Sequence, residues 1–382
     1  MSLPVYLDYN ATTPVALEVA AAMRPWIEEQ FGNPSSSHVY GQRARKAVAA
    51  ARESVAALIG AQGDEIVFTG SATEANNLAL LGVARAMPPG RRHLIISAVE
   101  HPAVMQPAMH LRDEGWRLTV LPVDGFGHIA LDDLRAALRP DTALVSVMHA
   151  NNEVGTIQPV AEIAVLARAN GTLTHTDAAQ SAGKVMLNVD GLGVDILTLA
   201  GHKFYGPKGI GALYVRRGTP LKPILFGADQ EHGLRPGTEN VAQIVGLGEA
   251  ARLAWARLPH ATRHLAALRD DLHRCLAAAV PGLVLNGHPE HRLSNTLHVS
   301  FPGVSGRDLL AATSKVAASV GSACHSDADA VSGVLAAMGC GAARARGAVR
   351  LSVGFPTIAK DVDSAASFLV RAWRAATPVF GA

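Results

Sequence analysis

The chain has 382 residues, 49% of them hydrophobic and 17% charged, and carries a formal net charge of +2. That balance gives no electrostatic case for nucleic acid or a membrane surface, and no apolar run is long enough to span a bilayer. Three cysteines, Cys275, Cys324 and Cys340, have no paired spacing, which excludes a disulfide framework and a zinc knuckle.

The length predicts two domains. Residues 1–9 contain an acidic residue and no long apolar core, so no secretory leader is expected and the reducing cytoplasm is the expected location. Residues 6–14 read as a short strand entering a turn. A helix follows over 17–30, then a loop of turn formers over 32–38. Ala44, Ala47, Val48, Ala51, Val55, Leu58 and Ile59 recur at helical spacing, closed by Gly60. Strands and helices then alternate. Strands are predicted over 65–68, 93–97, 118–122, 143–148 and 173–176, the last ending in Asp177. Helices are predicted over 74–86, from Pro102, and over 160–170. The apolar run 194–199 lacks helical period and reads as a buried strand, with another over 211–215. Such alternation predicts an α/β fold with a mostly parallel sheet covered on both faces, with ligands at the carboxyl ends of its strands. Beyond 233–240 the pattern turns helical, over 241–258 and 265–279, with Cys275 on the second apolar face. Strands near 296–301, 316–320 and 349–353 make a smaller α+β domain, completed by the N-terminal segment. The expected division is 16–257 for a large domain, and 1–15 with 258–382 for a small one.

Lys203 lies just past the buried strand 194–199, where an ammonium is costly to desolvate. The cost disappears if the nitrogen is bonded to an aldehyde, so Lys203 is the candidate Schiff-base lysine for pyridoxal 5'-phosphate. Asp177 ends the preceding strand. If the two strands are close, its carboxylate faces the pyridine nitrogen and makes the ring an electron sink; taken alone, it reads as a helix cap before Ala178-Ala179-Gln180. Gly70-Ser71-Ala72-Thr73, at a strand-to-helix junction, is a candidate phosphate cradle, with His202 as a second donor. His101, in Glu100-His101-Pro102, is placed to cover the ring face and move protons. Asn152 and Gln180 are neutral donors for the ring hydroxyl or a substrate carboxylate. Arg350, leading into a strand, is either a carboxylate clamp or a surface ion pair. Cys324 sits in a run of small and polar residues that reads as an exposed loop, which suits a reactive thiol. Cys340, between two glycines, has no assigned role.

Together these motifs resemble the class V, fold-type-I pyridoxal enzymes, specifically the cysteine desulfurase and selenocysteine lyase family. The likeness runs through Leu7-Asp8-Tyr9-Asn10-Ala11-Thr12-Thr13, Gly32-Asn33-Pro34-Ser35-Ser36, Ala72-Thr73-Glu74, Glu100-His101, Asn151-Asn152-Glu153 and His175-Thr176-Asp177-Ala178-Ala179-Gln180. It continues through Gly201-His202-Lys203-Phe204-Tyr205-Gly206-Pro207, Arg235-Pro236-Gly237-Thr238-Glu239-Asn240 and Gly321-Ser322-Ala323-Cys324. The resemblance implies that Lys203 carries the cofactor and protons, that Asp177 pairs with the ring nitrogen and that His101 stacks on the ring. It implies phosphate contacts from Ala72, Thr73, Ala200 and His202, with Thr238 contributed by the second subunit of a homodimer. Gln180 would contact the ring hydroxyl, Asn10, Asn152 and Arg350 would hold the substrate, and Cys324 would take its sulfur as a persulfide for a downstream acceptor protein.

Three positions depart from the desulfurase pattern. Ala200 replaces a serine, Gly227-Ala228-Asp229 adds an acid to a glycine run, and His325-Ser326-Asp327 replaces the usual Glu-Pro after the cysteine. The stretch 318–327 and Leu351-Ser352-Val353-Gly354 look closer to selenocysteine lyases. The expected reaction is conversion of L-cysteine or L-selenocysteine to L-alanine. An aminotransferase or another β-lyase of the same fold is the alternative, and a non-catalytic sulfur-delivery scaffold a remote one.

Overall fold

The runs Leu94-Ile95-Ile96, Ala143-Leu144-Val145 and Leu197-Thr198-Leu199 are apolar at nearly every position, so as strands they need cover on both faces. The computed structural model, which describes residues 3–321 and 332–377, supplies it. Elements follow in the order β1 (Val5–Tyr6), α1 (Leu17–Glu28), α2 (Val39–Ile59), β2 (Ile66–Thr69), α3 (Ala72–Ala86), β3 (His93–Ser97), α4 (Pro102–Asp113), β4 (Arg117–Leu121), α5 (Leu131–Ala137), β5 (Thr142–Ser146), α6 (Val160–Ala169), β6 (Leu173–Asp177) and α7 (Val189–Leu192). Then come β7 (Ile196–Ala200), β8 (Gly211–Val215), α8 (Val241–Ala279), β9 (Val284–Leu285), β10 (Thr296–Ser300), α9 (Gly306–Ala311), β11 (Val316–Ala317), α10 (Gly333–Ala337), α11 (Ala342–Arg346), β12 (Ala348–Ser352) and α12 (Ala359–Ala376).

A seven-stranded sheet runs in the order β2-β8-β7-β6-β5-β3-β4. All its strands are parallel except β8, which is antiparallel to both neighbours. Successive side chains of a strand point to opposite faces, and the cores obey this. Phe68, Leu197, Leu199 and Tyr214 join the core under α1, α2 and the first half of α8, whereas Val67, Ile196 and Leu213 join the core under α3 and α4. Close approach of α8 to α2 depends on Gly248, where a Cβ would lie 2.5 Å from Ala51 Cα.

The C-terminal region has its own sheet, β12-β10-β9, and its own apolar core. The N-terminal segment crosses to it: β1 pairs in parallel with β11, and Leu7 is buried among Leu272, Val299 and Leu351. The predicted helices over 241–258 and 265–279 are one helix. Pro259 removes a backbone donor, yet α8 continues, because its apolar positions are held by one core up to Ala254 and by the other from Leu265 on. The predicted strand over 316–320 shortens to Val316–Ala317, and α5 was not expected.

Candidate active site

β6 and β7 are parallel neighbours, with Asp177 opposite Thr198. β7 ends at Ala200 and passes into a 3-10 turn, Gly201–Lys203. Asp177 and Lys203 therefore leave adjacent strands at their carboxyl ends and enter one cavity of about 500 Å³. The first turn of α3 and the loops after β3 and β5 reach the same cavity with Ala72 and Thr73, His101, and Asn152. Asn10 comes from the N-terminal segment and Arg350 from β12, so both sheets build the wall.

One end of the cavity is a helix N-terminus. The first amides of a helix lack intrahelical partners and carry partial positive charge. Ser71 caps α3 by accepting from Glu74 N at 3.1 Å, which leaves the first-turn amides of Ala72 and Thr73 at the cavity. The helix seats there only because Gly211 has no side chain: a Cβ would lie 2.7 Å from the Ser71 carbonyl carbon and 2.9 Å from Ala72 N. His202 stands beside this end, with Nδ1 against Thr12 Oγ1 at 3.1 Å. Burial, then the charges of Lys203, Lys208 and Lys184, push its imidazole down to about 4, so the ring is a neutral hydrogen-bonding group. Ala200 also lines this wall, without a hydroxyl.

Asp177 is buried and doubly held: Oδ2 accepts from Asn76 Nδ2 at 2.7 Å and Oδ1 from Ala179 N at 2.9 Å. The capping role and a cavity-facing role thus coexist in one carboxylate. His101 caps α4, its Nδ1 accepting from Ala103 N at 3.1 Å with Pro102 at the first helical position. A neutral ring accepting at Nδ1 carries its proton on Nε2. Burial and Lys203 hold His101 below its ordinary range, against the pull of Asp177.

Glu100 lies next to this histidine. Its Oε1 accepts from Ser97 Oγ at 2.5 Å and Met148 N at 2.9 Å, while buried Oε2 has no partner among the described residues. Burial pushes its carboxyl up to about 8, with Asp177 adding to the rise. The folded chain therefore keeps a proton that the unfolded chain loses near 4.5, and stability falls as pH rises between those values. Glu100→Gln keeps the acceptor and removes the titration. The variant is expected to gain on the parent as pH rises, the difference in urea denaturation growing by about 3–4 kcal/mol between pH 5 and pH 8.

At the other end, Arg350 was expected to lead into a strand as either a carboxylate clamp or a surface ion pair. It is buried in mid-strand: Nη2 donates to Asp8 Oδ1 at 2.8 Å and Nη1 to Asn152 O at 2.9 Å. Buried Nε has no partner among the described residues. Asn10 Nδ2 donates to Thr296 Oγ1 at 2.8 Å, and the Asn10 carbonyl accepts from Gln180 Nε2 at 3.0 Å and Lys203 Nζ at 2.6 Å. Lys203 Nζ also donates to Ala11 O at 2.9 Å.

One expected site residue, Thr238, is not on this wall. Thr238 is exposed, in the segment before α8. That segment is pinned: Arg235 Nε donates to Glu74 Oε1 at 2.8 Å, and Glu231 makes a bidentate pair with Arg52 at 2.8 and 2.6 Å. Cys324, with His325 and Asp327, lies outside the described residues. The flanking Gly321 and Ser332 both adjoin buried Glu153, whose Oε2 accepts from Ser332 Oγ at 2.5 Å.

The sequence model for aminotransferase class-V matches residues 5–364. The chain belongs to that family. A cysteine desulfurase IscS of Dictyoglomus turgidum is 45% identical over 373 residues, covering 97% of this chain and 95% of the relative. Among solved structures, a NifS-like protein superposes with a TM-score of 0.91 at 37% identity, covering 98% of this chain and 99% of the other. SspA in complex with cysteine gives a TM-score of 0.80 at 37% identity, covering 91% and 98%.

The fold is that of the fold-type-I pyridoxal enzymes, and pyridoxal 5'-phosphate is the cofactor of this family. The donors present fit it. The amides of Ala72 and Thr73 with His202 suit a phosphate dianion, Asp177 suits a ring nitrogen and Lys203 an aldehyde. The orphaned Nε of Arg350 suits a carboxylate. When bound, the cofactor supplies an electron sink for bonds at the substrate's α- and β-carbons. Sequence reasoning missed Asn76, Asp8, Glu100 and Lys184. Asp8 and Glu100 stand inside motifs that it had singled out, and Lys184 follows Gln180 by four residues, which was the one available signal.

Proposed function

We propose that the chain converts L-cysteine to L-alanine, Lys203 carrying the cofactor, Asp177 holding a proton at its ring nitrogen and Cys324 taking the sulfur as a persulfide. The observation that carries this reading is the convergence of Lys203 and Asp177 from adjacent parallel strands on a cavity with an anion-binding end and an orphaned arginine donor. The desulfurase relatives and the neighbour solved with cysteine support the substrate. His101 moves protons beside Lys203, Gln180 meets the ring hydroxyl, and Asn10, Asn152 and Arg350 hold the amino acid. In the same reading the molecule is a cytoplasmic homodimer in which Thr238 reaches the phosphate of the other subunit, 16–257 and 1–15 with 258–382 are its two domains, and an acceptor protein removes the sulfur. L-selenocysteine is a second substrate, favoured by the sequence around Cys324.

The test is alanine release by the holoenzyme with each amino acid, followed by borohydride reduction and peptide mapping. Alanine from cysteine, with the reduced cofactor on Lys203, is the expected result. Label on Lys208 or Lys184, which also stand near the cavity, or no alanine from either substrate, would overturn the assignment.

A further inference from the structure

We propose that Lys184 is a positioning residue of the active site: it fixes the carboxamide of Gln180 so that Nε2, not Oε1, faces the cavity. The proposal rests on the reading that Gln180 meets the ring hydroxyl of the cofactor.

Lys184 is buried although it is a lysine in a turn segment. Its backbone is anchored, Lys184 N donating to Ser181 O at 3.0 Å and Thr262 Oγ1 of α8 donating to Lys184 O at 3.1 Å. The side chain runs back over its own turn. Nζ donates to Gln180 Oε1 at 3.0 Å and to Asn10 Oδ1 at 3.4 Å. Both partners are neutral oxygens, so no carboxylate in contact offsets the desolvation of the amine, and packing alone would be better served by an apolar side chain.

The hydrogen-bond logic gives the amine a use. The two ends of a carboxamide are nearly the same size, and its orientation is set by its partners. Gln180 has a donor, Lys184 Nζ, at one end and an acceptor, the Asn10 carbonyl, at the other. Reversal would set NH2 against the amine and carbonyl against carbonyl. With Gln180 in this orientation Lys184 donates whether charged or neutral; as an ammonium it has no lone pair to accept from a reversed NH2, and in either state reversal still sets carbonyl against the Asn10 carbonyl. The Asn10 carbonyl that takes Gln180 Nε2 also takes Lys203 Nζ, so the same network reaches the cofactor lysine. Burial, then the facing charges of Lys203 and Arg350, hold Lys184 well below the usual lysine range. Tyr205 and Tyr9 border the same small space between Lys184 and Lys203, and Asp177, His101 and His202 share the cavity wall.

A donor aimed at the ring hydroxyl favours that oxygen's ionised form. Its loss moves the pH midpoint of the holoenzyme's visible absorption band upward. Removing a nearby cation would do the same through space, so a double-mutant cycle is needed. Lys184→Met and Gln180→Ala are each expected to raise the midpoint by similar amounts, on the order of one pH unit. The double variant is expected to show no further rise. If Gln180→Ala shifts the midpoint and Lys184→Met does not, the positioning role is wrong. Additive shifts also overturn it, because Lys184 then acts by its own charge. An unmoved midpoint in Gln180→Ala rejects the reading of Gln180 itself, and this proposal with it. Should Lys184→Met not fold, Lys184→Gln, whose amide ends one bond short of Nζ, carries the same test with the same expected sign.

Discussion

Asp177→Ala is expected to cut alanine formation by on the order of 10²–10³-fold, the loss typical of removing one preorganised charge from an active site. Lys203 would still carry the cofactor, but nothing would hold a proton at the ring nitrogen. Alanine also strands two donors, Asn76 Nδ2 and Ala179 N. A buried donor left without a partner costs about 1–3 kcal/mol, so a drop in stability is expected as well. Asp177→Asn separates the two effects. Its carbonyl can still accept from Ala179 N, and its NH2 can meet Asn76 once that amide turns over, because Asn76 Oδ1 is buried without a partner among the described residues. The asparagine variant should therefore melt near the parent and remain as inactive as the alanine variant. Normal turnover in Asp177→Asn would reduce Asp177 to the turn cap that its Oδ1 bond already shows.

This double duty explains what a sequence reader can and cannot see. Asp177 and Lys203 were legible because each ends a buried strand, and the strand pattern is local. Their adjacency was conditional until β6 and β7 proved to be neighbours. Arg350 was half legible: its motif stood out, but its burial is set by Asp8, 342 residues away in sequence. Lys184 and Glu100 were illegible as buried groups, since a charged residue in a turn ordinarily faces water. The N-terminal segment and α8 cover the first, and the loop after β5 covers the second. The break expected between 258 and 265 rested on local pattern, whereas two separate cores hold α8 straight through. Cys340, without context in the sequence, packs beside the small apolar cluster of Met148, Leu335 and Met338, which gives it a structural use.

The other large effect concerns the thiol, and it separates sulfur from selenium. Breaking the Cβ–S bond of cysteine needs something to receive the sulfur. In the proposed step the Cys324 thiolate attacks the substrate sulfur, an S–S bond forms and the Cβ–S bond breaks. Cβ keeps the electron pair, gains a proton and becomes the methyl of alanine, while Cys324 holds the persulfide. Selenium differs, because a selenol is more acidic than a thiol and the carbon–selenium bond is weaker. With selenocysteine the bond pair and the selenol's own proton can pass to Cβ, so that selenium departs as the element and added thiol reduces it. Cys324→Ala is therefore expected to abolish alanine formation from cysteine and to retain much of it from selenocysteine, with Lys203 and Asp177 intact. The assay is alanine release by parent and variant on each substrate under reducing conditions. Equal loss on both would show that selenium also needs the thiol. Undiminished release from cysteine would remove Cys324 from the mechanism and return half-buried Cys340 to consideration.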